Sequence, residues 1–207
     1  MSRRSYDLSK GTRVYRFFLK LSLVMAYLGG IMLVGLILLT CVSVIGRSLN
    51  GVLHSDFIEG LMPGVATALL GMGIGPINGD YELIEAGIAF SIFAFLPLCQ
   101  ISGAHATVDI FTAKLSDRNN RILRMIIEVV FAAVLVLIAM QLYEGMQSKM
   151  RSGQTTLLIE FPVWWGYRLS LIGARVAAAV AVYLAIMRIA ECFTGRAILP
   201  VDEGADH

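Results

Sequence analysis

Four long apolar runs organise the chain: Leu21 to Gly46, Ala86 to Val108, Met125 to Tyr143 and Leu169 to Met187, with few ionisable residues inside them. A hydrocarbon core about 30 Å thick is crossed by roughly 20 apolar residues in helical form, because a backbone that hydrogen-bonds to itself tolerates the absence of water. The pattern predicts an all-α membrane protein with four transmembrane helices, at about 21–46, 84–106, 123–145 and 167–189, forming one membrane domain over residues 1–207.

Ahead of the first run, Val14, Phe17, Phe18 and Leu21 recur at helical spacing while Lys10, Arg13, Arg16 and Lys20 occupy the other face, which predicts a basic interfacial helix leading into the first span. The first run exceeds the length of a signal-peptide core and no small-residue cleavage site follows it, so it is expected to stay on the mature chain.

Basic residues resist translocation and so orient a multispan chain. Of the 17 lysines and arginines, twelve fall on one side of a four-span topology: Arg3, Arg4, Lys10, Arg13, Arg16 and Lys20, then Lys114, Arg118, Arg121 and Arg124, then Arg188 and Arg196. Arg47, Lys149, Arg151 and Arg168 fall on the other, and Arg175 lies within the last span. Both termini are therefore expected in the cytoplasm. The uncharged segment at about 60–77 is bracketed by Asp56, Glu59, Asp80 and Glu82 and punctuated by Pro63-Gly64, Gly71, Gly73, Gly75 and Pro76. As a fifth span it would nearly equalise the basic charge on the two sides. It reads instead as an extra apolar outer-face segment, either lying at the interface or re-entering the bilayer.

Composition agrees: 57% of residues are hydrophobic and 15% charged, outside the range of a soluble domain. A formal charge of +2 gives no ground for a nucleic-acid partner. Cys41, Cys99 and Cys192 all fall in or beside apolar runs, where an odd number makes no disulfide framework.

A solute path through lipid needs ionisable or amide groups facing a cavity, or paired broken helices. The four runs offer Ser22, Thr40, Ser43, Ser91, Gln100, Ser102, Glu128, Gln141, Ser170 and Arg175, and no two segments repeat each other. A complete path built by this chain alone is not expected. Arg175 lies about two turns inside the last run. It either snorkels to headgroups, pairs with Glu144 or Glu160, or meets a polar group of another subunit. Glu128 stands four residues after Arg124 and seven after Arg121, which marks them as its natural partners. Ala174, Ala178, Ala181 and Ala185 form a stripe that admits a close helix neighbour, inside this chain or beyond it. Trp164, Trp165 and Tyr167, after Pro162, read as an interfacial aromatic belt.

Enzymatic patterns are missing. His54, His105 and His207 are too scattered to ligate one haem, and no HExxH, Cys-x-x-Cys, GxSxG or Walker A pattern occurs. Gly71-Met-Gly73-Ile-Gly75 lacks the residues that complete a phosphate loop. No catalytic residue, cofactor or metal site is expected. Asp109 and His105 read as capping or loop-ordering groups.

Gly79-Asp-Tyr-Glu82-Leu-Ile-Glu85, Phe93-Ala-Phe-Leu-Pro97-Leu-Cys-Gln100 and His105-Ala-Thr-Val108-Asp109-Ile-Phe, followed by Leu115-Ser-Asp-Arg118, Thr155-Thr156-Leu157, Pro162-Val-Trp164, Tyr167 and Gly173, resemble in order and spacing the small permease subunit of TRAP (tripartite ATP-independent periplasmic) transporters. Two departures stand out. About two dozen residues, Val52 to Gly75, intervene where many members have a short connection, and Leu171 stands where a proline is frequent. The resemblance implies a multi-pass subunit of a bacterial inner membrane, joined by a large permease that carries solute and sodium and by a soluble periplasmic substrate-binding protein. It further implies small organic acids as substrates and a scaffold role for this chain. On that basis Arg47, Glu82, Glu85, Asp109, Trp164, Trp165, Tyr167 and Arg175 are the candidate partner-contact residues. Two rivals are a self-contained oligomeric transporter or channel, which predicts flux from the purified chain, and an assembly or regulatory subunit of another membrane complex, which co-purification would reveal.

Overall fold

The computed structural model describes residues 13–55, 64, 71, 73, 75–103 and 117–194. Asp109, His105, most of the 60–77 segment, the basic residues before Arg13 and the C-terminal tail lie outside the described residues, so the expectations placed on them are not addressed by it.

Four helices account for nearly all of what is described: α1, Arg13–Leu53; α2, Asp80–Ile101; α3, Asp117–Ser152; and α4, Trp164–Thr194. All four are long and apolar enough to cross a membrane. Among the described residues the β-structure is a single bridge, Thr155 to Pro162. At 1.5 Å per residue α2 is about 33 Å long, close to the hydrocarbon thickness, whereas α1 reaches about 60 Å and overshoots it.

The interfacial stretch expected before the first span is continuous with it, since α1 runs unbroken from Arg13. Its contacts also differ from the apolar stripe of the sequence. Val14 and Phe17 are exposed, while Leu19 is buried and Phe18 stacks on Tyr183 of α4 at 4.7 Å.

The boundaries of α2 follow from its end residues. Gly79 sits at φ 77°, the left-handed region, and a Cβ there would come within 2.4 Å of Ile159. Asp80 and Glu82 then occupy the first turn, where carboxylates suit the positive end of the helix dipole. The helix stops at Ile101, inside the apolar run: the Ser102 N–H donates to the Leu98 carbonyl at 3.0 Å and Gly103 turns the chain at φ 60°.

The helices pack in an open row in the order α1, α2, α4, α3. The contacts of α1 fall chiefly on α2, those of α3 on α4, and α2 and α4 share the middle. Small residues set the spacing. Ala94, Ala174, Ala177 and Ala181 are fully buried, and a Cβ on Gly29 of α1 would lie 2.9 Å from that of Ala94 on α2. Three members of the alanine stripe of α4 have their neighbour within this chain: Ala178, Ala181 and Ala185, with Ala177 beside them, pack on Ala132 and Leu135 of α3, while Ala174 is buried outside that cluster. Close backbone approach of this kind is how helices associate where lipid removes the hydrophobic drive.

One end of the row gathers Leu19 of α1, Ile101 of α2 and Tyr183 and Leu184 of α4. The beginning of α1 and the end of α4 therefore lie at the same end, as an even number of crossings requires. The other end carries Arg47, Asp80 and the α3–α4 connection.

Candidate functional site

At the Arg47 end, α1 and α2 are joined through Asp80. Its carboxylate is 8% exposed and accepts from the Ser43 hydroxyl, from the Arg47 guanidinium at 3.3 Å and from the Tyr81 N–H at 2.8 Å. Arg47 also donates to the Tyr81 hydroxyl at 3.0 Å and lies 5.5 Å from the centre of that ring. A carboxylate at this depth is tolerated because each of its oxygens has a donor. The Ile77 N–H reaches the Ser43 oxygen at 3.4 Å, and Gly46 allows the Gly75 carbonyl to lie against α1. The chain just before α2 is thus fastened to α1.

Glu82 has a different task. Its two carboxylate oxygens accept from the Leu158 and Ile159 N–H groups at 2.8 and 3.2 Å, fixing the α3–α4 connection against α2. That connection is a tight hairpin. Thr156 N–H donates to Phe161 O at 2.9 Å, Val163 N–H to Gln154 O at 3.0 Å, and Phe161 N–H to the Thr156 hydroxyl at 3.0 Å. Glu160 holds φ 52°, the one non-glycine residue with positive φ among those described. Leu157 at the tip is 96% exposed and Leu158 64%.

Trp164, Trp165 and Tyr167 stand at the start of α4. Trp164 and Trp165 stack at 4.9 Å, with the Arg168 guanidinium 5.9 and 5.5 Å from their rings. Pro162 lies ahead of this helix, and its carbonyl accepts the Trp165 N–H at 3.1 Å. Tyr167 packs on α3 at Gly145, where a Cβ would lie 2.7 Å from its ring. Two turns further along α4, Arg175 is exposed and its guanidinium lies 5.6 Å from the Tyr143 ring. Among the described residues it has no ion pair, so neither Glu144 nor Glu160 serves as its counter-ion. Glu85 is exposed and, among the described residues, has no hydrogen-bonding partner.

A second polar layer lies about 30 Å from the first, taking the 1.5 Å rise from Asp80 to Gln100 along α2. There Gln100, 4% exposed, donates to Glu128 of α3 at 2.7 Å, and Arg188 pairs with Glu191 at 2.9 Å. Helical offset pointed Glu128 toward Arg124 or Arg121; the structure adds a partner on another helix, which offset along one helix could not reveal. Between the layers the buried Ser91 hydroxyl bonds backbone carbonyls, Gly87 at 2.9 Å and Gly29 at 3.3 Å. An open groove of about 550 Å³ is lined mainly by apolar residues of α3 and by Val182, with Gln141 and Glu144 its polar members. Among the described residues no three His, Cys, Asp or Glu side chains gather as a metal site.

Of the candidate contact residues, then, Arg47 and Glu82 are engaged inside the chain, Trp164 and Trp165 stack beside Arg168, Tyr167 packs on α3, and Glu85 and Arg175 are exposed. Ser43 and Asp80 were not anticipated as a pair. The available signal was an acidic residue at a helix start opposite an arginine near a helix end. The family model for "Tripartite ATP-independent periplasmic transporters, DctQ component" matches residues 36–194. No curated protein and no solved structure matches the chain.

Proposed function

Because the chain belongs to the DctQ component family of tripartite ATP-independent periplasmic transporters, we propose that it is the stationary lateral scaffold of such a transporter. In this reading it holds a large permease in place and supplies part of the outer surface on which a substrate-binding protein docks. The transported solutes are small organic acids, drawn in by a sodium gradient whose ion sites belong to the large permease. Both termini face the cytoplasm and the Arg47 end faces outward, as the distribution of lysine and arginine favours.

The observation that carries this reading is the packing between the two polar layers. Alanines and glycines close the α2–α4 and α4–α3 contacts, and the buried Ser91 hydroxyl is bonded to backbone. Tightly interlocked helices of this kind suit a fixed frame better than a solute path. The small-residue stripe of α4 is already occupied by α3, so lateral binding falls to the outward faces of the flanking helices. On α1 these are Tyr27, Ile31, Val34, Leu38 and Ile45, all more than half exposed.

The test is uptake in proteoliposomes containing the large permease, with binding protein, substrate and a sodium gradient, in the presence and absence of this chain. Uptake is expected to collapse without it. Full uptake by the permease alone would remove the scaffold role, and accumulation of an organic acid by vesicles holding this chain alone would establish a self-contained transporter.

A further inference from the structure

We infer that the row of helices meets the bilayer obliquely, leaning by about 25° within its own plane, so that the lipid belt around it descends from the α1 edge to the α3 edge. This needs the four-span fold alone and stands whether or not the scaffold reading holds.

Contacts between helices fix which residues stand at one height. Ser43 meets Asp80, Leu36 meets Gly87 and Gly29 meets Ala94, so α1 and α2 pass each other in constant register. Gly79 meets Ile159, Ala86 meets Gly166 and Phe93 meets Gly173, while Gly145 of α3 meets Tyr167 of α4. Carried across the row, these pairs set Val42 of α1 level with Met150 of α3 at the Arg47 end, and Phe17 of α1 level with Ile126 of α3 at the other.

Charge does not follow those levels. On α1 the stretch between Lys20 and Arg47 carries none. The matching limits are Arg168 and Arg188 on α4, Arg175 apart, and Arg124 and Glu144 on α3, Glu128 apart. Arg168 and Glu144 stand level with Gly35, about twelve residues short of Arg47, or ~18 Å along the helix. Arg188 and Arg124 stand level with Tyr15, about five residues beyond Lys20, or ~8 Å. Both offsets have the same sense: the uncharged stretch of α1 is displaced toward the Arg47 end.

An upright row has no pair of level surfaces that suits both edges. A plane through Arg168 would leave Ile37, Leu38, Val42 and Ile45, each more than half exposed, in water. A plane through Arg47 would draw Arg168, Lys149, Arg151 and Glu144 into hydrocarbon, where charge is costly. At the other end a plane through Lys20 would strand Ile126 and Ile186, at least half exposed, outside the bilayer. Leaning removes all three conflicts. A mean offset of about 13 Å across three neighbour spacings, about 27 Å in all, corresponds to a lean of about 25°. The bounding charges Lys20, Arg47, Arg168 and Arg188 then hold the angle, because rotation in either sense draws one of them inward. The Asp80 cluster and the Trp164–Trp165–Arg168 group consequently lie at one membrane surface although they stand at different heights along the row.

The experiment measures depth at two pairs of level, exposed positions. Spin labels are placed singly at Val42 (58% exposed), Met150 (46%), Phe17 (61%) and Ile126 (50%) in the full chain, with Cys41, Cys99 and Cys192 replaced by alanine, reconstituted in phospholipid vesicles. Collision with oxygen against a water-soluble nickel chelate reads the depth of each label. Val42 and Ile126 are expected in hydrocarbon, and Met150 and Phe17 about 10 Å shallower, at or beyond the headgroups. Equal depths within either pair, or the reverse order, overturn the oblique seat. Infrared dichroism of the unlabelled wild-type chain in oriented bilayers gives a second readout that no substitution can disturb. A mean helix tilt of about 25° is expected there, and helices parallel to the bilayer normal would overturn the inference.

Discussion

Gly173 of α4 faces Phe93 of α2 with no room for a side chain: a Cβ on Gly173 would lie 2.9 Å from both the carbonyl carbon and the Cβ of Phe93. Pro97, four residues on, has no N–H to offer the Phe93 carbonyl, so the α2 backbone lacks that helical hydrogen bond where Gly173 of α4 lies against it. Gly173→Ala should push the two central helices apart and destabilise the chain by about 1–3 kcal/mol, the usual cost of overpacking. Thermal denaturation in detergent checks this. An unchanged midpoint would mean that the α2–α4 contact can relax.

The Asp80 cluster predicts an asymmetry. Asp80 is nearly buried with three donors, whereas Arg47 is about half exposed. Asp80→Ala removes the acceptor on which Ser43, Arg47 and the Tyr81 N–H converge. It should lower the melting temperature clearly more than Arg47→Gln, which leaves Ser43 and the backbone in place. Ser43→Ala combined with Asp80→Asn should be non-additive, since both changes strike one network. Equal effects of Asp80→Ala and Arg47→Gln would show that the exposed ion pair dominates the junction.

At the opposite end, the Gln100–Glu128 hydrogen bond at 2.7 Å is a polar tie between α2 and α3, helices that otherwise meet mainly through α4. Gln100→Leu should cost about 1.5–3 kcal/mol, the range for a hydrogen bond to a charged group. Its distinctive readout is a distance. Spin labels at the Ile101 end of α2 and the Asp117 end of α3 should show a broader separation in the variant, while the Arg47 end stays unchanged. A change confined to global stability would argue that α4 alone fixes the spacing.

How far these features were readable in the sequence depended on their range. Four helices follow from apolar length, which is local, and Leu21, Ala86, Met125 and Leu169 each open a run that the structure places inside a helix. Helix ends were less legible. α2 ends at Ile101 within the apolar run because Gly103 takes a positive φ, and α1 extends through Arg13 to Lys20 without the break that a separate interfacial helix would need. Partners were the least legible. The stripe of Ala178 and Ala181 showed that a neighbour exists but not that it is α3, and Glu82 read as a candidate partner contact although its hydrogen-bond partners within the chain stand 76 and 77 residues away. Neither periodicity nor spacing carries information across that separation.

Arg175 gives the sharpest division between folding and assembly. It is exposed on α4, and among the described residues its interaction is with the Tyr143 ring at 5.6 Å, a contact worth about 0.5–1 kcal/mol at an exposed site. Arg175→Leu should therefore leave the melting temperature of the isolated chain nearly unchanged. A guanidinium two turns inside an apolar helix still has donors that the Tyr143 face does not satisfy, and in hydrocarbon such donors are costly unless a polar group meets them. If that group belongs to the large permease, Arg175→Leu reduces co-purification of the permease severalfold and Arg175→Lys restores it only in part, because an ammonium cannot reproduce the planar fork of donors. If the group is a lipid phosphate, co-purification survives both substitutions and the isolated chain instead loses retained phospholipid in native mass spectrometry. The scaffold reading predicts the first outcome.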